Sequence, residues 1–463
     1  MNRYKILRLP IFVLVLSLVA GSGLAHELQA AESDGSLGVN ANLAADATWF
    51  ISEIDTTGDI GLYTSITIDP ATNITYVSYY DYTNKTLRLA MNGGFGSGNC
   101  GPDNSWLCQT VDSTYGVGTF SSIDINPING EIGIAYYDAT DSQLKYAHGE
   151  ICATCTWSID IIDKPITTPS DSLGRYASLK YHSDGTAYIA YFYYNDNGLD
   201  ALVLASAVPE GEVGNCGYGS AAGEWQCDFI HQTEGVGQYA SLALDGDGNT
   251  HIAYYDATTG DLWYATNGSG TNCGPMGNTW HCIPVDSSSD VGQHASMYVD
   301  SGNHFHIAYY DATANKLKYA VDVGSGGNCG VFGSAQCETI APMGSGVYPH
   351  GISIVEDNNN YPVIAFQSDF GSLDLARPLP ALGLPGSSGN CGPEIPFSTW
   401  LCETIRPYLS RVPARQADYV SIAMSESGLG TIAYYGFITT TGGNLEIANQ
   451  LFEVFEPIIL NGD

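Results

Sequence analysis

Basic residues are scarce. The 463-residue chain has 15 Lys and Arg against 49 Asp and Glu, a formal net charge of −34. That excludes a nucleic-acid or anionic-membrane surface, which needs clustered cations to neutralise phosphate. Charge of either sign is only 14% of the chain, so the acidity reads as solubility more than salt adaptation. Long apolar runs are missing apart from Ile11 to Ala20, which is too short to cross a membrane comfortably. With Arg3, Lys5 and Arg8 before it and Gly23-Leu24-Ala25 after it, this run predicts a secretory signal over residues 1–25. No membrane span is expected once it is removed.

The chain is dominated by repetition. Ser241 opens SLALDGDGNTHIAYYDATTGDLWYAT, and related stretches open at Ser65, Ser122, Ser178, Ser296, Ser353 and Ser421, with steps of 57, 56, 63, 55, 57 and 68 residues. A period of this size means a solenoid, propeller or array. In the copy at Ser241 four strands can be read: a (Ser241 to Asp245), b (His251 to Tyr255), c (Leu262 to Ala265) and d (Trp280 to Val285). Strand b lacks clean polar–apolar alternation, as expected of a strand covered on both faces. Its repeated Tyr-Tyr predicts packing between repeats.

Strand d opens with Trp at 49, 106, 157, 225, 280 and 400, and Gln336 takes the remaining place. The first d strand therefore precedes the first a strand, and the last a-b-c set lacks a d strand. A closed ring resolves both facts, because the strand near Trp49 completes the sheet begun by the last repeat and removes the exposed edges. The expected fold is all-β, a seven-bladed β-propeller of four-stranded antiparallel blades over residues 46–455. Residues 26–45 read as a linker and 456–463 as a C-terminal tail of unassigned role.

Twelve cysteines in an exported chain predict disulfides. They form six local pairs at one phase of the repeat: Cys100-Cys108, Cys152-Cys155, Cys216-Cys227, Cys273-Cys282, Cys329-Cys337 and Cys391-Cys402. Six pairs for seven blades fits a ring in which one blade is assembled from both chain ends. Zinc would need four ligands in one place, and these pairs are spread along the chain. The Cys152-Cys155 spacing alone would also suit a redox pair.

These repeats resemble secreted bacterial propellers of the broad sialidase-like class. The resemblance implies architecture and a site at the axial mouth where the a strands begin. It does not imply sialidase activity: the box Ser-x-Asp-x-Gly-x-Thr-Trp is absent, Ser183-Asp184-Gly185-Thr186 being a faint echo, and the Trp-Asp signature of another propeller class is missing.

Tyr63, Phe120, Tyr176, Tyr239, His294, His350 and Tyr419 enter the a strands, His350 one residue out of register. Such rings either plug the axis or face a ligand, since flat aromatic faces suit sugars. Arg406, Arg411 and Arg415 crowd a single d-to-a loop, and Arg175 starts another a strand. In so acidic a chain they predict either contact with an anion or pairing with local acids such as Asp418 and Glu403. Asp81, Asp138, Asp256 and Asp311 end b strands; fixing the hairpin is the simpler role, a cation site the alternative. Asp245-Gly246-Asp247-Gly248-Asn249 hints at calcium but lacks the rest of an EF-hand loop, so no cofactor is expected.

Three functional classes fit. The first is an extracellular module, secreted or at the cell surface and monomeric, that binds a glycan, an acidic one by the arginines. The second is a polysaccharide lyase, or less readily a glycoside hydrolase, with His294 or His350 as base and Tyr239 or Tyr419 as acid. The third is a protein-binding scaffold or adhesin.

Overall fold

Short β-branched and aromatic runs punctuated by Gly, Asn and Asp turns give 28 strands and no α-helix among the described residues. The computed structural model describes residues 49–451 except 93–97, 151–155, 167, 169, 269, 271, 275–278, 344–350, 369–370, 383–388, 394–398, 408–414 and 439–441. The signal, linker and tail expectations, His350, Arg411 and the Cys152-Cys155 pair lie outside the described residues.

Blade 1 is β2 (Ile60–Ile68), β3 (Thr75–Asp81), β4 (Thr86–Asn92) and β5 (Trp106–Asp112). Blade 2 is β6 (Val117–Ile125), β7 (Ile132–Asp138), β8 (Gln143–Gly149) and β9 (Ser158–Asp163). Blade 3 is β10 (Ser172–Tyr181), β11 (Ala187–Tyr194), β12 (Ala201–Ala207) and β13 (Trp225–Gln232). Blade 4 is β14 (Val236–Leu244), β15 (Thr250–Asp256), β16 (Asp261–Thr266) and β17 (His281–Asp286). Blade 5 is β18 (Val291–Val299), β19 (Phe305–Asp311), β20 (Lys316–Asp322) and β21 (Ala335–Pro342). Blade 6 is β22 (Ile352–Glu356), β23 (Pro362–Gln367), β24 (Leu373–Pro378) and β25 (Trp400–Arg406). Blade 7 joins β26 (Arg415–Met424), β27 (Gly430–Ile438) and β28 (Gly442–Gln450) to β1 (Trp49–Asp55).

The closing strand pairs antiparallel with β28, from Trp49 opposite Gln450 to Asp55 opposite Leu445. It is tied on both flanks. Trp49 Nε1 donates to Glu403 of blade 6 at 2.8 Å, and Asp55 accepts the Tyr79 hydroxyl of blade 1 at 2.8 Å.

The innermost strand of each blade has a bare edge toward the axis, so its outward N–H groups need partners. The repeat-opening serines supply them. The Oγ atoms of Ser65, Ser122, Ser178, Ser241, Ser296, Ser353 and Ser421 accept the backbone N–H of Ile123, Leu179, Leu242, Met297, Ile354, Ile422 and Ile66 in turn, at 2.9–3.2 Å. Each bond crosses to the next blade, and the last returns to blade 1.

The apolar core is seven layers between blades. One layer joins Ile54, Ala433 and Leu445 of blade 7 to Val77 and Tyr79 of blade 1. The first ring of the b-strand pair, Tyr-Tyr or in blade 3 Tyr-Phe, lies fully buried in these layers (Tyr79, Tyr136, Tyr191, Tyr254, Tyr309, Tyr434). Its hydroxyl reaches an acid on the preceding d strand: Asp55, Asp112, Asp163 or Asp286 for Tyr79, Tyr136, Tyr191 and Tyr309, at 2.6–2.8 Å. At three interfaces a c-strand cation joins that acid: Arg88 to Asp55 at 2.9 Å, Lys145 to Asp112 at 2.7 Å and Lys318 to Asp286 at 2.5 Å.

Five disulfides form as expected: Cys100–Cys108, Cys216–Cys227, Cys273–Cys282, Cys329–Cys337 and Cys391–Cys402. Each belongs to an Asn-Cys-Gly motif that recurs along the sequence. The Asn side chain holds both backbone groups of the second Cys, as Asn99 does with Cys108 at 2.7 and 2.9 Å. The Gly N–H donates to the preceding d strand, Gly101 to Ile54 and Gly274 to Ile230, both at 2.8 Å. The hairpin therefore clamps adjacent blades together. One register is corrected: Ala335, not Gln336, bridges Cys329 where the other blades place Trp.

Arg406 is also relocated. It ends β25, where other blades carry the d-strand acid, and pairs at 3.1 Å with Glu446, which sits where they carry the cation. Both side chains are buried, at 8% and 1% exposure. Arg406 thus serves a charge-reversed interface between blades 6 and 7 and does not line the axial mouth. Removing one member of a buried pair leaves an uncompensated charge. Arg406→Met should lower stability by about 3–5 kcal/mol, read as a lower urea midpoint. The double variant R406D/E446K, which restores the sign used by its neighbours, should recover most of that loss; if it unfolds as readily as Arg406→Met, the pair is not what holds this interface.

Candidate functional site

The aromatic positions do not precede the a strands, as the sequence suggested. They lie inside them, at a bulge. In β14 the register with β15 shifts between Val236 and Gln238 and again between Gln238 and Ser241. The same break occurs in β2, β6, β10 and β18. At the bulge Tyr63, Phe120, Tyr176, Tyr239, His294 and Tyr419 all adopt φ of 52–55°. This left-handed conformation costs a non-glycine residue about 1–2 kcal/mol. Two residues earlier, Gly61, Gly118, Gly174, Gly237 and Gly292 have φ of 102–110°. A Cβ there would stand 2.7–2.8 Å from the backbone of a c-strand Leu in the preceding blade, so glycine is what lets the chain turn toward the axis. The motif Gly-x-aromatic-x-Ser was visible in five repeats.

The six rings form a collar. Tyr419 meets Tyr63 with centroids 4.5 Å apart, Tyr63 meets Phe120 at 4.8 Å, and Phe120 meets Tyr176 at 4.7 Å. Tyr176 meets Tyr239 at 4.5 Å, and Tyr239 meets His294 at 4.4 Å. Behind them the second Tyr of strand b gives an outer set, Tyr63 against Tyr80 at 6.3 Å and Tyr239 against Tyr255 at 6.1 Å. The seventh place, two residues before Ser353, falls to Gly351, and a Cβ there would be 2.2 Å from the Val420 nitrogen. Among the described residues the collar is drawn from six blades, and His350 of blade 6 lies outside them. A cavity of about 190 Å³ lies at its centre, lined by the six rings together with Gly351, Ile352 and Val420.

Burial is the main cause that raises the phenol pKa values of Tyr63, Tyr176, Tyr239 and Tyr419. These hydroxyls stay protonated at neutral pH and act as hydrogen-bond donors. Tyr63 is paired with Tyr419 and Tyr176 with Tyr239. Of the arginines, Arg175 is solvent-exposed next to Tyr176, its guanidinium 5.6 Å from the Tyr137 ring centroid. Its positive charge works against the rise at both Tyr63 and Tyr176. Arg415 opens β26 opposite Ile438.

Sequence reasoning treated Asp418 as an arginine partner. In the structure Gln367 of blade 6 donates to its Oδ1. Burial raises its pKa to about 6 against the hydrogen bond that lowers it. The acids at the b-strand ends serve their hairpins: Asp81 accepts the Asn84 N–H at 2.8 Å and Asp256 that of Thr258 at 2.9 Å. Asp245 accepts the N–H groups of Asp247 and Asn249 at 3.0 and 2.8 Å, which makes its Asp-Gly-rich segment a turn.

The chain is thus a seven-bladed β-propeller with an aromatic-lined axial cavity. No family profile and no curated protein matches it. Solved structures of similar shape include the Aleuria aurantia lectin in complex with Fucα1-6GlcNAc, at 14% identity, covering 76% of this chain and 97% of that one, with a TM-score of 0.42. The polysaccharide lyase Uly1 gives 9% identity, 85% and 89% coverage and a TM-score of 0.45. A Hadza microbial sialidase gives 13%, 67% and 64%, and 0.42. Likeness at this level concerns architecture alone.

Asp418 gives a pH signature. Its unfolded pKa is near 3.9 and its folded pKa about 6, so between these values the folded state holds the extra proton. On this account stability falls as pH rises from about 4 to 6. Asp418→Asn removes that slope. Its melting temperature should match the wild type at pH 4 and exceed it at pH 8, by about 3 kcal/mol in stability. Equal melting at pH 8 would show that the carboxylate ionises without penalty.

Proposed function

We propose that this protein is an extracellular carbohydrate-binding module whose site is the axial collar. The observation that carries this reading is six ring side chains held in a strained backbone conformation around an open cavity. A plug needs no such strain, because glycine or asparagine would turn the chain at less cost. Flat rings with fixed hydroxyl donors suit the apolar face and edge of a sugar. Arg175 at the rim favours an acidic sugar, with Arg415 as the second cation expected there and Arg411 the third. Five disulfides fit an oxidising compartment. Among the described residues no helix is long and apolar enough to cross a membrane. A secreted or cell-surface monomer is the form we propose.

A lyase is the second reading, and one contact favours it: His294 and Tyr239, a base and an acid by type, touch at 4.4 Å in the same cavity. Electrophoresis through gels cast with acidic polysaccharides separates the two. Retardation with intact polysaccharide staining is the expected result, and Arg175→Ala should weaken it about tenfold in affinity, the worth of one charged hydrogen bond. A cleared track, abolished by His294→Ala, would make the protein a lyase. Free migration through every gel would overturn both readings and leave a protein-binding scaffold.

A further inference from the structure

The seven interfaces between blades use one pair of positions: the d-strand residue opposite the c-strand Leu, and the residue after the Leu in the next blade. Reading round from β1, the pairs are Asp55 with Arg88, Asp112 with Lys145, Asp163 with Val203, His231 with Trp263, Asp286 with Lys318, Ala341 with Asp374 and Arg406 with Glu446. Most are complementary in charge or shape. The pair between blades 2 and 3 is not. Asp163 is an acid whose cation has been replaced by valine.

In the neighbouring interface the Lys145 ammonium lies 2.7 Å from Asp112 and 3.7 Å from Asp138. Arg88 bridges Asp55 and Asp81 in the same way, at 2.9 and 3.8 Å. Between blades 2 and 3 the place of Asp138 is taken by Tyr193, whose hydroxyl donates to Asp171 at 2.9 Å. Asp163 keeps the Tyr191 hydroxyl at 2.6 Å and the Lys164 N–H at 2.9 Å. Among the described residues no cation pairs with it. Lys164, the residue after β9, lines the same cavity as Asp163, its ammonium 4.6 Å above the Tyr218 ring.

Asp163 borders open space. A cavity of about 360 Å³ is lined by Asp163, Asp171 and Lys164 with the rings of Tyr193, Tyr218 and Phe229. Tyr193 and Phe229 pack edge to face at 5.7 Å, and Phe229 is 42% exposed, so the aromatic wall reaches solvent. The carboxyl reflects the loss. Asp112 and Asp286, which hold lysines, are lowered in pKa, whereas burial raises Asp163 to about 6.

We propose that this cavity binds a ligand bearing a primary ammonium group, in the first instance a free amino sugar, with the ammonium on Asp163 where Lys145 and Lys318 stand in sister interfaces. The ring of such a ligand would lie along the aromatic wall. The site is separate from the collar and does not depend on it.

The test is ligand-observed NMR of D-glucosamine with the full-length secreted protein at pH 7. Saturable binding is expected. N-acetylglucosamine has the ring without the ammonium and should not bind. Asp163→Asn should weaken glucosamine at least tenfold. Val203→Lys supplies the missing ammonium from the chain itself, and should abolish binding while raising the melting temperature. Methylammonium distinguishes sources: weaker binding than glucosamine supports a sugar, equal binding supports any small amine in the same socket. Absence of glucosamine binding, or binding equal in wild type, D163N and V203K, overturns the proposal.

Discussion

Seven serine hydroxyls hold this molecule in a ring. The innermost strand of every blade has one edge that no sheet neighbour can satisfy, and a bare N–H near the axis would cost about 1–3 kcal/mol. Each serine covers that N–H for the next blade, so satisfaction is cyclic, and the bond from Ile66 to Ser421 is as necessary as any other. This explains why β1, the first described strand, is the outer strand of the last blade. The bond between the terminal blades forms only if blade 7 is complete, and β1 completes it from one side while Asp55 and Trp49 attach it to both neighbours.

Between the blades a second rule operates, and its violations are more informative than its observance. A buried acid on one blade, a tyrosine hydroxyl and a cation on the next form a satisfied cluster at three interfaces. Where Arg406 replaces the acid, Glu446 replaces the cation, so charge balance is kept while its sign is reversed. Where Val203 replaces the cation, no compensating change occurs at Asp163. A buried acid without its cation is expensive unless it protonates or finds a partner outside the chain. The raised pKa of Asp163 is the first response, and the cavity beside it leaves room for the second.

The architecture was legible in the sequence because it is written seven times. Copy number, strand order, closure by the Trp49 strand and the five described disulfides could all be read from spacing. Less was legible of the site. The aromatic set was recognised from composition at one repeat phase, but its backbone state was not, because a bulge shows only when two strands are laid in register. His350, one residue out of the serine register in the sixth repeat, lies outside the described residues, and Gly351 is the residue two before Ser353. Arg406 was grouped with Arg411 and Arg415 by proximity along the chain, yet it is the last residue of a strand, and the strand turns it into an interface. Asp163 could not be singled out at all, since its peculiarity lies in a partner 40 residues away on another blade.

The same contrast bears on where function resides. Identical surroundings at seven positions produce a scaffold, and a binding site needs a departure from them. The collar departs from them in chemistry: four phenols, one phenyl and one imidazole stand at equivalent backbone positions around the axial cavity, and Arg175 adjoins one of them. Under the proposed reading most of the contact area would come from the rings, and the orientation of the ligand from the unequal groups, His294 and Arg175. A plug, by contrast, would gain nothing from six rings held at a costly left-handed conformation around open space, since rings collapsed onto the axis would bury more apolar surface.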